Sequence, residues 1–458
     1  MFIMEKQKVI IVGASHGGHQ SALELLDKYD NVDVTIYEAG DFVSFMSCGM
    51  QLYLEDKATA KDDVRNFAPA DLEAKGGRIF NNHQVTKINA DKKTVIVKDV
   101  LTDQEEEVSY DKLILSSGVT PQTLPVPGND LENIYLMRGY DWAGKIKSAL
   151  NNPAIKNVAV IGAGNIGVEA VEVFANAGRN VTLLDMIDKP MGNYVNDELA
   201  DLVAAELEKH HVTQVLGAKI EAFEGDGKVT AIKTDKGQVD TDLVIVAAGV
   251  KPNTKWLEGT VDLTDRGFIQ TDAYLRTNLP DVYAIGDAIL PWSIPGQAHM
   301  PVALATTARR EAMYLASHLF ESKPSRPFKG VVGSSAFGVF DLHGASAGLN
   351  TFSAGRIGKK IATSFYEDSK RPAYVPEKDN AKVYVSLTFD PDSHQILGGA
   401  VLSSDDITAQ TNVLSLAIEH KLILEDLAEA DFFFQPGYDR QWSLLNLAAQ
   451  HALGWARF

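Results

Sequence analysis

Cys48, in the stretch "SFMSCGMQLYLE" (Ser44–Glu55), is the only cysteine among 458 residues. A lone thiol cannot close an intramolecular disulfide. The chemistry open to it is nucleophilic attack as a thiolate, or reversible oxidation to a sulfenic acid. With no second thiol in the chain, such a sulfenic acid has no intramolecular partner to condense with. The plainer alternative is a buried cysteine acting as a small hydrophobe. Two features favour chemistry. The residue follows a nucleotide-binding pattern, and "SCGMQLYL" reads as a loop entering a helix, whose N-terminal dipole favours a thiolate.

The nucleotide signal is strongest at Gly162-x-Gly164-x-x-Gly167. The first glycine permits a tight turn. The second lets the backbone approach a pyrophosphate, and the third lets helix pack on strand. Asp185 follows 23 residues after Gly162. A carboxylate there accepts hydrogen bonds from a ribose 2′-hydroxyl and repels a 2′-phosphate, which favours NADH over NADPH. A second, degenerate copy reads Gly13-Ala14-Ser15-His16-Gly17-Gly18, with Glu38 as its acid. Serine replaces the middle glycine, and His16 sits in the phosphate turn. A loop histidine is otherwise a solvated or capping residue. "RTNLPDVYAIGDA" (Arg276–Ala288) places Thr277 before an apolar strand ending in Gly286-Asp287, which resembles the segment that marks the flavin's ribityl contact in two-dinucleotide flavoproteins. Two dinucleotides are therefore expected, FAD at the first site and NADH at the second, with hydride passing to the flavin.

These residues require particular elements around them. "KVIIVG" and "VDVTIYEAG" read as strands flanking an amphipathic helix, a β-α-β unit of about 30 residues. The pattern returns over Asn157–Met186. Each copy is followed by alternating meander strands: "QVTKINADKKTVIVKD" with "EEEVSYDKLILSSG", then "KVTAIKTDKGQVDTDLVIVAAG". "KPSRPFKG" reads as a linker to a separate α+β region. The expected organisation is α/β: a discontinuous FAD-binding domain over 1–122 and 256–328, an NAD-binding domain over 123–255, and a C-terminal α+β dimerisation domain over 329–458. The length suits about two to four domains. The net charge of −18 lacks the basic footprint of a nucleic-acid binder. No apolar run reaches the roughly 20 residues of a membrane span, and the N-terminus shows no signal-peptide pattern. One cysteine points to a reducing compartment, the cytoplasm.

The motifs "VGASHGG", "SFMSCGMQLYLE", "YDKLILSSG", "NIYLMRG", "AIGDA", "ALATTARR", "GSSAFGVFD" and "ADFFFQPGYDRQW" span nearly the whole chain. They resemble the single-cysteine pyridine nucleotide–disulfide oxidoreductases, with the glutathione reductase-like fold. That group includes NADH peroxidases, water-forming NADH oxidases and coenzyme A disulfide reductases. The resemblance implies that Cys48 cycles between thiolate and sulfenic acid beside His16. It implies that Gly13, Ala14, Ser15, His16, Gly17, Glu38, Cys48, Ser116, Ser117, Gly118, Val119, Arg138, Asp287, Ala303 and Ala305 lie along FAD. Gly162, Gly164, Ile166, Gly167, Asp185, Tyr194, Gly249 and Ala336 would lie along NADH. Arg309 in "ATTARR" and the C-terminal "FFFQPGYDRQW" match the peroxidase branch, so hydrogen peroxide is the expected oxidant. Dioxygen reduction to water is the alternative. A coenzyme A disulfide reductase, or a flavin redox sensor without turnover, ranks lower. The resemblance also implies a homodimer or homotetramer, with residues near 433–442 reaching a partner's active site. Two positions depart from the family pattern. Asn165 stands where a tyrosine usually covers the flavin, and Gln20 where a glutamate is usual.

Overall fold

The computed structural model describes residues 6–455; the N-terminal stretch read for a signal-peptide pattern lies in part outside them. Strand β1 (Gln7–Val12), helix α1 (His16–Lys28) and strand β2 (Val32–Tyr37) form the first β-α-β unit. β1 pairs in parallel with β2 on one side and with Lys112–Leu115 on the other. Val282–Ala284 and Arg78–Phe80 complete a five-stranded parallel sheet. The continuous apolar run "VIIV" fits a strand covered on both faces; Val9 and Ile11 are fully buried.

The second unit repeats this plan. Strand β3 (Asn157–Ile161), helix α3 (Asn165–Asn176) and strand β4 (Asn180–Leu184) form the core of a second five-stranded parallel sheet; the intervening α2 is the short helix Met50–Leu54, which follows Cys48. The two meanders form separate three-stranded antiparallel sheets, His83–Asn89 with Thr94–Asp99 and Glu105–Ser109, and Ile220–Asp226 with Lys228–Thr234 and Gly237–Asp240. The chain crosses between the parallel sheets at Val119–Pro121 and Val250–Pro252, which pair antiparallel. The C-terminal strands make one five-stranded antiparallel sheet. The stretch 409–428 forms two helices, Thr411–Glu419 and Leu424–Ala428, separated at Lys421, whose φ of 56° is left-handed.

The C-terminal sheet is fastened to the second unit by polar contacts. Asn196 donates to Ser386 and Thr388 and accepts from Thr351. His210 stacks flat on Phe340, 3.9 Å between ring centres. Beside that stack, Glu206, His210 and Asp341 form a metal-like grouping. Lys209 bridges Glu206 and Asp341 at 3.2 and 2.7 Å, so an ammonium already offsets part of the cluster's charge and the grouping reads as an ion-pair latch. Among the described residues no helix is long and apolar enough to cross a membrane.

Candidate active site

The glycine turns do what their spacing requires. Gly13 and Gly162 have φ of 98° and 111°, where a side chain is strained. A Cβ on Gly18 would overlap the Gly13 carbonyl, and one on Gly167 would overlap the Gly162 carbonyl. Each helix can therefore begin directly against its strand, presenting the unpaired N–H groups of its first turn. Ser15 is the N-cap of α1 and Gly164 that of α3, neither with a side-chain cap bond.

The two acids occupy equivalent places. Glu38 accepts the Ala14 N–H at 2.8 Å and the Gly40 N–H at 2.9 Å. Asp185 accepts the Ala163 N–H at 2.6 Å and the Ile187 N–H at 3.1 Å. Each carboxylate thus faces its own phosphate turn with lone pairs to spare. Around the first turn, Ser116 is buried, and a Cβ on Gly17 would lie 2.7 Å from its hydroxyl. The Ser117 hydroxyl is buried without a partner. Gly118 has a φ of 62° and open space where a Cβ would stand. Next to it, Val119 pairs with Pro252. A cradle of glycines, an orphaned hydroxyl and a strand-end carboxylate fit a dinucleotide such as FAD. At the second turn Tyr194 lies against Gly164, 3.1 Å from a Cβ there, and Ile166 is exposed on the first turn of α3. Gly249, with φ 92°, has open space beside it, and the strand Ser334–Val339, which holds Ala336, packs against α3. The buried Asn165 amide oxygen has no partner. These features fit NADH in the same way.

Thr277 differs from its expected use. Its hydroxyl donates to the Val282 carbonyl and accepts the Leu279 N–H, so it is spent inside the turn. Asp287 instead pairs with Arg138 at 3.1 Å. Ala303 and Ala305 lie where helix Ala305–His318 begins, and Arg309 is one turn further on. The short turn Ser47–Gly49 carries Cys48, exposed at the head of α2. The protein surroundings do not favour its thiolate on balance. Although the side chain reaches solvent, partial enclosure by neighbouring atoms pushes the thiol pKa up; a backbone hydrogen bond at Cys48 opposes this, Glu169 adds to it, and Arg138 and Arg309 oppose it. The dipole of a helix as short as Met50–Leu54 is too weak to reverse that order. His16 is pushed down, first by burial and then by Arg309, with Arg138 in the same sense and Asp287 opposing. Cys48 and His16 therefore share the field of the same two arginines. Arg309 lies over the Phe67 ring at 6.0 Å and forms no ion pair among the described residues. The Gln20 amide donates to Glu24, 3.0 Å distant.

Three groups escaped sequence reading. Asn66 hydrogen-bonds His16. Glu169, on α3, is pushed up to about 7, first by burial and then by Glu172 and Glu55. Its only sequence signal is a place two residues after the third glycine. Glu311 is fully buried; it accepts the Gly286 N–H at 2.6 Å, and its other oxygen has no partner. Burial raises its pKa to about 8. A carboxyl raised from its unfolded value near 4.5 is neutral in both states below that value. Its penalty then grows as pH rises toward 8. Glu311→Gln is therefore expected to flatten the fall in thermal midpoint between pH 5 and 8 (roughly the span of the two values); an unchanged slope would count against a neutral Glu311.

Comparison with known proteins gives one consistent answer. Residues 7–312 match the family model described as pyridine nucleotide-disulphide oxidoreductase. An NADH oxidase of Enterococcus faecalis is 36% identical over 97% of this chain and 99% of its own. The solved structure of a water-forming NADH oxidase from Lactobacillus brevis, bound to NADH, is 35% identical and superposes with a TM-score of 0.93, covering 98% of both chains. A coenzyme A disulfide reductase of Staphylococcus haemolyticus is 28% identical over 97% of this chain and 99% of its own.

Proposed function

The chain belongs to the pyridine nucleotide-disulphide oxidoreductase family, and we propose that within it the protein is an FAD-dependent NADH oxidase that reduces dioxygen to water. The observation that carries the chemistry is a solitary thiol that shares with His16 the field of Arg138 and Arg309. The preference for dioxygen rests on the full-length likeness to NADH oxidases, which outweighs the peroxidase expectation drawn from Arg309 and the C-terminal motif. Asn165 supports the same choice, because a short amide covers less of a flavin face than a tyrosine.

FAD would be held by the 1–122 and 256–328 segments, and NADH by 123–255. Ser116–Val119, Arg138, Asp287, Ala303 and Ala305 would line the former, and Asp185, Tyr194, Gly249 and Ala336 the latter. When bound, the flavin accepts hydride from NADH and passes two electrons to dioxygen. Cys48 then handles the peroxide so formed. Its thiolate attacks one peroxide oxygen, the O–O bond breaks, and the leaving hydroxide takes a proton to become water. The resulting sulfenic acid takes two electrons and one proton, supplied by a second NADH, releasing water and restoring the thiolate. Two NADH are consumed per dioxygen. Arg309 and Arg138 favour the thiolate against burial, and neutral His16 supplies an N–H beside it.

The exposed aromatics Phe433, Phe434, Tyr438 and Trp442 suit a homo-oligomer contact. The lone cysteine suits a reducing, cytoplasmic setting. A peroxidase remains the second reading, because Arg309 is unpaired by any carboxylate among the described residues. One purified sample separates the two. Under air, the oxidase consumes two NADH per dioxygen without accumulating peroxide. Vigorous anaerobic turnover with peroxide and none with dioxygen would replace the oxidase reading by the peroxidase.

A further inference from the structure

We propose that Asn66 is a positioning residue that sets the tautomer of His16, holding its proton on Nε2. This rests on the reading of His16 as part of the site, but its test does not depend on which oxidant is reduced.

The contact is specific. The Asn66 amide nitrogen lies 3.0 Å from His16 Nδ1. An amide –NH2 is only a donor, so Nδ1 must accept, and the proton of a neutral imidazole must sit on Nε2. Loss of one well-placed hydrogen bond of this kind is enough to let two tautomers compete. His16 is placed to remain neutral. The charged and titratable groups that act on it are Arg309 on helix Ala305–His318, Arg138 after Ile134–Leu136 and Asp287 in the Gly286–Ala288 turn, with His19 one turn along α1 coupled to it. The two arginines and burial outweigh the one carboxylate.

Asn66 is not held by chance. Its loop is stitched to the Cys48 segment by an antiparallel bridge between Phe45 and Arg65. The Met46 N–H donates to the Val64 carbonyl at 3.0 Å. Val64 also closes on the Cys48 turn, since a Cβ on Gly49 would lie 2.7 Å from its methyl. On the other side of Asn66, Phe67 packs on His19, 4.9 Å between ring centres, and carries Arg309 over its face. One loop therefore fixes three things together: the backbone leading to the thiol, the imidazole tautomer, and the arginine. Nothing in local sequence links Asn66 to His16, 50 residues away.

The same geometry assigns opposite outcomes to two substitutions. Asn66→Ala removes the donor and leaves both tautomers populated. Asn66→Asp replaces the donor by an acceptor, moves the proton to Nδ1 and raises the His16 midpoint by about one pH unit or more, as a carboxylate beside imidazolium does. The experiment is nitrogen-15 NMR of the imidazole rings in flavin-loaded, histidine-labelled protein, with the His16 signals assigned by their loss in His16→Gln. The expected wild-type spectrum has an unprotonated Nδ1 and a protonated Nε2. A wild-type proton on Nδ1 would overturn the proposal without any variant being needed. So would a folded Asn66→Asp with unchanged tautomer and midpoint. Failure of the oxidase reading would show separately, as absent dioxygen turnover with the His16 spectrum as expected.

Discussion

Cys48→Ser is expected to turn the proposed water-forming enzyme into a peroxide-forming one. The serine hydroxyl keeps the size of the side chain but is not ionised near neutral pH and forms no sulfenic acid. Dioxygen still meets reduced flavin, so NADH consumption under air persists. The NADH consumed per dioxygen should fall from two to one, and hydrogen peroxide should accumulate in equal amount to NADH oxidised. Anaerobic turnover with added peroxide should drop by at least about 10³-fold, the scale on which removal of a nucleophile is felt. A serine variant that still made water without free peroxide would show that Cys48 is not the second electron acceptor. The wild-type rate with peroxide should also rise with pH from neutrality upward. Burial and Glu169 hold the thiol above its ordinary value, and only the thiolate attacks.

The parts of this molecule legible in the sequence are those dictated by local sterics. Gly13, Gly18, Gly162 and Gly167 are recognisable because no other residue fits a left-handed turn with a helix backed against it. Glu38 and Asp185 are recognisable because a strand that follows such a helix must end beside the turn. Interactions made through folded loops are not legible. Asn66 reaches His16 only because the Phe45–Arg65 bridge brings two distant loops together. Glu311 reads as an ordinary charge in "ARREAM", yet the packing of its helix on the Gly286 turn buries it completely. Thr277 shows the reverse failure, since the motif points outward a hydroxyl that the turn itself uses. Cys48 stands out by its rarity, but the sign of its pKa shift depends on burial and on Glu169 from the second unit. The choice of oxidant shows a similar limit. Arg309 contributes to the field at both Cys48 and His16, but a cation acting on the thiol would serve peroxide from solution and peroxide formed in place equally well.

Removing the Asp185 charge is expected to collapse the preference for NADH. Its carboxylate follows β4 and already orders the turn by accepting the Ala163 and Ile187 N–H groups. Under the proposed assignment its remaining lone pairs take the ribose hydroxyls. Alanine would strip both functions at once and leave two backbone donors unpaired, so the informative change is Asp185→Asn, which preserves shape and one acceptor. A hydrogen bond to a charged group is worth about 1.5–3 kcal/mol, so kcat/KM for NADH should fall by roughly 10- to 100-fold at about 1.4 kcal/mol per decade. NADPH gains over the same change, because its 2′-phosphate no longer faces a carboxylate. Met186, the next residue, is 74% exposed, so adding Met186→Arg to the Asp185→Asn variant supplies a cation at little packing cost. The bidentate guanidinium should carry the preference past parity to NADPH. Steady-state kcat/KM with each coenzyme, under air, gives the ratio directly. A ratio moved less than about threefold by both changes together (under about 0.7 kcal/mol) would place the adenosine ribose elsewhere than at Asp185.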